Sequence, residues 1–208
     1  MIRITLTAAL AAGGLFVTAT LPHAASGEGV GDDCTPDTAR DDMTYEDAQA
    51  VYDCLAGSMQ EGYLTGDTRW IPRAFVADYR NWTAASTLPA DPGVHGGRFL
   101  LTWVNKTGAE EYMKFAEERG AMPAGTVIAK ESFAVGEDGK AAPGPLFLMQ
   151  KTAEGVSPRT NDWYYMAVQP NGRPMAIDVF KACNECHEAY ADSDHLGYPE
   201  EDVRATGG

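Results

Sequence analysis

Apolar residues recur at helical spacing in "TYEDAQAVYDCLAGSMQEGY", where Ala48, Val51, Tyr52, Leu55 and Met59 form one stripe. Thr44 with Asp47 three residues on is a capping arrangement, so the pattern predicts a helix from Thr44 to about Gly62 whose stripe faces a core. "DTRWIPRAFVADYRNWTAAS" has no clear period, but its aromatics predict burial. "GGRFLLTWVN" reads as a strand, and "TGAEEYMKFAEERG" as a helix capped by Thr107, boxed by Glu110 and ended by Gly120. Beyond it the period changes to that of strands. The segments at 126–135, 145–151 and 163–169 are short and rich in branched and aromatic residues, with Gly, Pro and Asn between them. "GEDGKAAPGP" reads as a hairpin loop, and Asn171-Gly172 as a tight turn. The expected fold class is α+β: an antiparallel sheet flanked by helices, followed by a C-terminal segment with a CxxCH pattern.

The first residues follow another logic. After Arg3 the chain is uncharged from Ile4 to Leu21 and then reaches Pro22 and small residues, the pattern of a secretory signal peptide with cleavage after Ala24 to Ser26. Export to the periplasm is therefore expected, with residues 1–26 removed and no membrane span in the remainder. Removal leaves about 180 residues, enough for one substantial core. The formal net charge of -14 then deepens to -15. So acidic a surface repels phosphate backbones and anionic headgroups, which argues against nucleic acid as a partner. A basic redox protein or a small neutral ligand suits it better.

The four cysteines separate into two pairs. In an oxidising compartment Cys34 and Cys54 are expected to form a disulfide that ties the N-terminal segment to the first helix. Cys183 and Cys186 stand three apart with His187 directly after. A thioredoxin-like dithiol belongs early in a βαβ unit, whereas this pair follows a run of strands. A structural zinc needs four ligands, and only His95, His195 and the disulfide cysteines remain, at no recognisable spacing. Covalent haem attachment accounts for all three residues. The thiols of Cys183 and Cys186 form thioethers to the vinyl groups, and His187, on the same helical face as Cys183, reaches the iron as the sole strong protein ligand. One haem c is the expected cofactor.

The order of these segments is as telling as the haem motif. A strand ending in "WVN", then "PAGTVIAKE", "GPLFLMQK", "NDWYYMAVQPNG" and a C-terminal "CNECH" resemble the cytochrome P-460 family, which includes the cytochromes c′-beta, over roughly residues 75–200. The resemblance divides the chain into residues 1–26 (signal peptide), 27–74 (a helical extension with the disulfide) and 75–208 (the haem domain). It implies a periplasmic, mostly β protein, often a homodimer, with one c-type haem and an open iron face. It also implies two chemistries. Members with a lysine bonded to a haem edge carbon oxidise hydroxylamine; the c′-beta members bind nitric oxide or similar gases in an apolar pocket. The matching lysine is Lys130, and Phe147 falls where the oxidising members carry a carboxylate. A phenyl ring offers no base for proton removal, so the expected function is binding of nitric oxide or a related nitrogen oxide. Hydroxylamine oxidation with Lys130 bonded to haem is the alternative, with Glu131 and Glu154 as fallback carboxylates. A second alternative is an electron carrier whose iron is closed by Met149 or, more weakly, Met166 or Met175.

Overall fold

Thr44 opens the first helix with a reciprocal cap: Asp47 N–H donates to Thr44 Oγ1 at 3.1 Å, and Thr44 N–H donates to Asp47 Oδ2 at 2.9 Å. In the computed structural model, which describes residues 33–91 and 93–206, this helix (α1) runs Tyr45–Thr65. The signal-peptide reading of residues 1–26 lies outside the described residues. The expected stripe is buried, with Tyr63 added to it. The helix does not stop at Gly62. That glycine lets the chain pass close by, since a Cβ there would collide with the Pro170 carbonyl. Cys34 and Cys54 are bonded, 20 residues apart. Replacing both with serine should destabilise the fold by about 3 kcal/mol from the loop it closes, and lower the melting temperature by roughly 6–12 °C. The visible spectrum should stay unchanged, because Cys54 lies on α1, on the sheet face away from the cavity described below.

A short helix α2 (Arg73–Asp78) follows, then five strands: β1 (Thr83–Ala84), β2 (Phe99–Val104), β3 (Val127–Val135), β4 (Ala141–Lys151) and β5 (Trp163–Val168). They form one antiparallel sheet in chain order, β1 to β5, so the fold is α+β. Strand β4 begins at Ala141, and the second half of the expected "GEDGKAAPGP" loop is strand; the turn needs only Gly136 to Lys140, closed by Gly136 N–H to the Lys140 carbonyl at 2.9 Å. Helix α3 is shorter than its pattern, Lys106–Tyr112, and starts earlier. Its cap is Asn105, whose Oδ1 accepts from Gly108 N–H at 3.2 Å and Val127 N–H at 3.0 Å. It ends because Phe115 adopts a left-handed φ of 46° and packs its ring against Tyr112 and Tyr198.

The sheet separates two environments by the two-residue period of its strands. Val127, Ala129, Leu146, Met166 and Val168 join α1 in the larger apolar core. Ile128, Lys130, Phe147, Met149 and Tyr165 face the other way, toward a cavity roofed by the C-terminal segment. At the seam with α1, Glu131 is buried and accepts hydrogen bonds from Tyr52 Oη (2.9 Å) and Arg80 Nε (3.1 Å), linking α1, the chain after α2 and β3. No helix among the described residues is long and apolar enough to cross a membrane.

Candidate functional site

The CxxCH residues lie on a helical run after β5: a π-type turn Phe180–Asn184, one α-helical turn Glu185–His187 and a 3-10 segment Glu188–Ser193. Asp178 begins it, its Oδ1 accepting Phe180 N–H at 3.1 Å. Arg159 sits over Phe180, its Cζ 3.9 Å from the ring centre, and buried Asn184 donates to the Arg159 carbonyl at 3.4 Å, so the run is held to the β4–β5 connection. Cys183 is half-buried, Cys186 is exposed, and the two sulfurs are not joined. His187 is buried.

The orientation of His187 is set by its neighbours. Its Nδ1 lies 2.7 Å from the His195 carbonyl, which can only accept, so the proton sits on Nδ1 and the lone pair is on Nε2. Burial pushes the imidazole pKa down to about 4, which keeps the ring neutral and able to ligate. The carbonyl that holds it belongs to a tight left-handed turn, with φ of 59° at Asp194 and 64° at His195. Asp194 is the anchor. Its carboxylate, buried, accepts from Lys151 Nζ (2.8 Å), Asn161 Nδ2 (2.7 Å) and Met122 N–H (2.7 Å), while its carbonyl accepts from Trp163 Nε1 at 2.8 Å. Sequence reading missed this brace, because Lys151 and Asp194 are 43 residues apart and nothing local pairs them.

Between the sheet and this run is a cavity of about 370 Å³, lined by Lys130, Phe147, Met149, Cys183, Cys186 and His187 among others. Both sequence candidates on the sheet are therefore in its wall, side by side, since Lys130 of β3 pairs with Phe147 of β4. Lys130 donates to the Gly197 carbonyl at 2.8 Å and has no carboxylate partner among the described residues. Burial lowers its pKa to about 8. Met166 and Met175 also reach the wall. The fallback carboxylates do not: Glu131 points to the α1 face into its ion pair with Arg80, and Glu154 is exposed on the β4–β5 connection. No Asp or Glu lines the cavity among the described residues. His95, which the sequence offered only as a leftover zinc ligand, is in the wall with its ring centre 4.8 Å from that of Phe147. The signal that could have found it is the "HGG" turn directly ahead of a strand.

A family model described as Cytochrome P460 matches residues 76–196. The chain belongs to the cytochrome P460 family. Membership makes it a haem-binding cytochrome, and it covers β1 through the CxxCH run while leaving α1 and the disulfide ahead of the matched region. A search of curated proteins finds no match.

The cavity of this cytochrome P460 family member suits a haem on its own chemistry. One wall carries two thiols and a neutral imidazole with a free nitrogen; the other sets the apolar side chains of Ile128, Phe147 and Met149 beside Lys130. Lys130 and Arg98 bring positive charge that the two haem carboxylates would answer, and Lys130 has little else to offset the cost of its burial. Two buried polar atoms in the wall, His95 Nδ1 and Tyr165 Oη, have no hydrogen-bond partner among the described residues. A polar or metal-bearing group in the cavity would relieve both.

Proposed function

We propose that this chain is an exported c-type cytochrome that carries one haem on Cys183 and Cys186, ligates its iron with His187, and binds nitric oxide or a closely related small nitrogen oxide. Haem supplies the iron atom at which such a diatomic binds. The remaining work belongs to the chain. The His195 carbonyl keeps the His187 proton on Nδ1, so Nε2 is always the ligating nitrogen. Phe147, Ile128 and Met149 exclude water and favour a small apolar ligand. The acidic surface suits a basic redox partner, with net charge -14 over the full chain.

One observation favours the binder over the oxidase: no carboxylate lines the cavity among the described residues. Hydroxylamine oxidation takes protons off nitrogen, and a positioned base contributes about 10²–10⁴-fold to such a step. Phe147 stands where that carboxylate is expected, and Glu131 is committed elsewhere. The second reading, an oxidase with Lys130 bonded to the haem edge, is favoured by a different observation. Lys130 is a buried amine in the wall with one acceptor and a pKa of about 8, and so is partly neutral near physiological pH.

Titration of the purified ferrous protein with nitric oxide should give a saturable spectral change, while hydroxylamine with an artificial electron acceptor should turn over poorly. Phe147→Glu should raise that turnover by about 10²-fold, and only if intact mass shows the hydrogen loss of a bonded lysine. Brisk turnover by the wild type that disappears in Lys130→Arg would replace the binder reading with the oxidase.

A further inference from the structure

His95 and His187 face the same cavity from different parts of the chain, with ring centres 6.4 Å apart and ring planes at 68°. We propose that His95 is a second, displaceable axial ligand to the iron that His187 holds, so that an incoming diatomic must compete with an imidazole. This rests on the haem reading above and adds to it a device controlling access to the iron.

The spacing is the first argument. With metal–nitrogen bonds of about 2.0–2.1 Å and roughly 1.1 Å from nitrogen to ring centre, two imidazoles on opposite sides of one metal have centres roughly 6 Å apart. A histidine that merely donates a hydrogen bond to a bound diatomic has to stand farther off. The second argument is hydrogen bonding. His187 Nδ1 is occupied by the His195 carbonyl, but His95 Nδ1 is buried with no partner among the described residues. That one buried nitrogen lacks the acceptor or donor that ordinarily accompanies it.

The third argument is the backbone. His95, Gly96 and Gly97 take φ of 53°, 75° and 68°, three left-handed residues in succession with only Arg98 between them and β2. The glycines adopt this freely, whereas a histidine there costs roughly 1–2 kcal/mol. Left-handed non-glycine residues cluster at functional sites. The strained turn aims the ring onto Phe147 and is fixed by Arg98, whose Nη1 donates to the His95 carbonyl at 2.6 Å. Around it the loop is open: Gly93, Val94 and Gly96 are exposed. A ligand on such a loop can swing aside without disturbing the sheet, unlike Met149, which is locked into β4. The apolar ring of Phe147 then backs an imidazole instead of facing the iron alone.

The test compares ferric and ferrous spectra, with electron paramagnetic resonance, of the purified holoprotein as wild type, His95→Ala, His95→Gly and Met149→Leu. His95→Gly removes the left-handed strain and so guards against misfolding. The wild type should be six-coordinate and low-spin. Both His95 variants should become high-spin, should regain the low-spin spectrum when imidazole is added, and should bind nitric oxide at least about tenfold more tightly, because the competent fraction rises. Met149→Leu should leave the spectrum as it was. A five-coordinate wild type that is unaltered in the His95 variants overturns this inference and leaves the haem reading standing; loss of the low-spin signal in Met149→Leu overturns it in favour of methionine. Absence of covalent haem from the wild type overturns the reading beneath it.

Discussion

Lys151→Met should lower stability by about 3–5 kcal/mol, the usual result of leaving one member of a buried ion pair without its partner. Lys151 and Asp194 are both about 95% buried at their side chains, 2.8 Å apart, and Asp194 also anchors Asn161 and the Met122 amide. At this chain length the loss corresponds to roughly 6–20 °C in melting temperature, provided unfolding is reversible. The change should extend to the iron. Loosening the Asp194–His195 turn frees the carbonyl that orients His187, so the electron paramagnetic resonance signal of the ferric protein should broaden or shift. The double variant Lys151→Met, Asp194→Leu should regain part of the stability, since no charge remains buried, but not the spectral change. A loss under about 1 kcal/mol in Lys151→Met would mean that water reaches the pair and the brace is not what sets the turn.

His187→Ala should separate attachment from ligation. The thioethers at Cys183 and Cys186 should keep haem on the chain, while the spectrum should lose the signature of the His187 nitrogen. Exogenous imidazole should restore it, because the substitution leaves a space next to the His195 carbonyl that still accepts an N–H. Replacement of His195 itself should leave coordination unchanged, as only its backbone oxygen takes part. Loss of the nitrogen band on changing His195 and not His187 would exchange the roles of the two residues.

What the sequence made legible was what local chemistry controls. The α1 stripe and its capping box, the cores of β3 and β5, and the CxxCH triplet each depend on residues within one or two turns of one another, and each stands where the pattern put it. The two-residue period of β3 places Lys130 and Glu131 on opposite faces. Long-range partners decided the rest. Asn105 displaced Thr107 as the α3 cap because the same oxygen also takes the amide of Val127, 22 residues away. Glu131 could be offered as a spare base only while its partner Arg80, 51 residues distant, was unknown. His95 looked idle because its relation to His187 exists only across the cavity. Local signals marked the pocket's walls, but not which walls meet.

The account stands or falls on covalent haem at Cys183 and Cys186. The direct measurement is the intact mass of the exported protein after acid–acetone extraction. The account predicts one species, the chain from near residue 27 plus a single haem, and a haem-free chain when both cysteines are replaced by serine. A wild-type chain that gives up its haem to the solvent, or that never carried one, would contradict it.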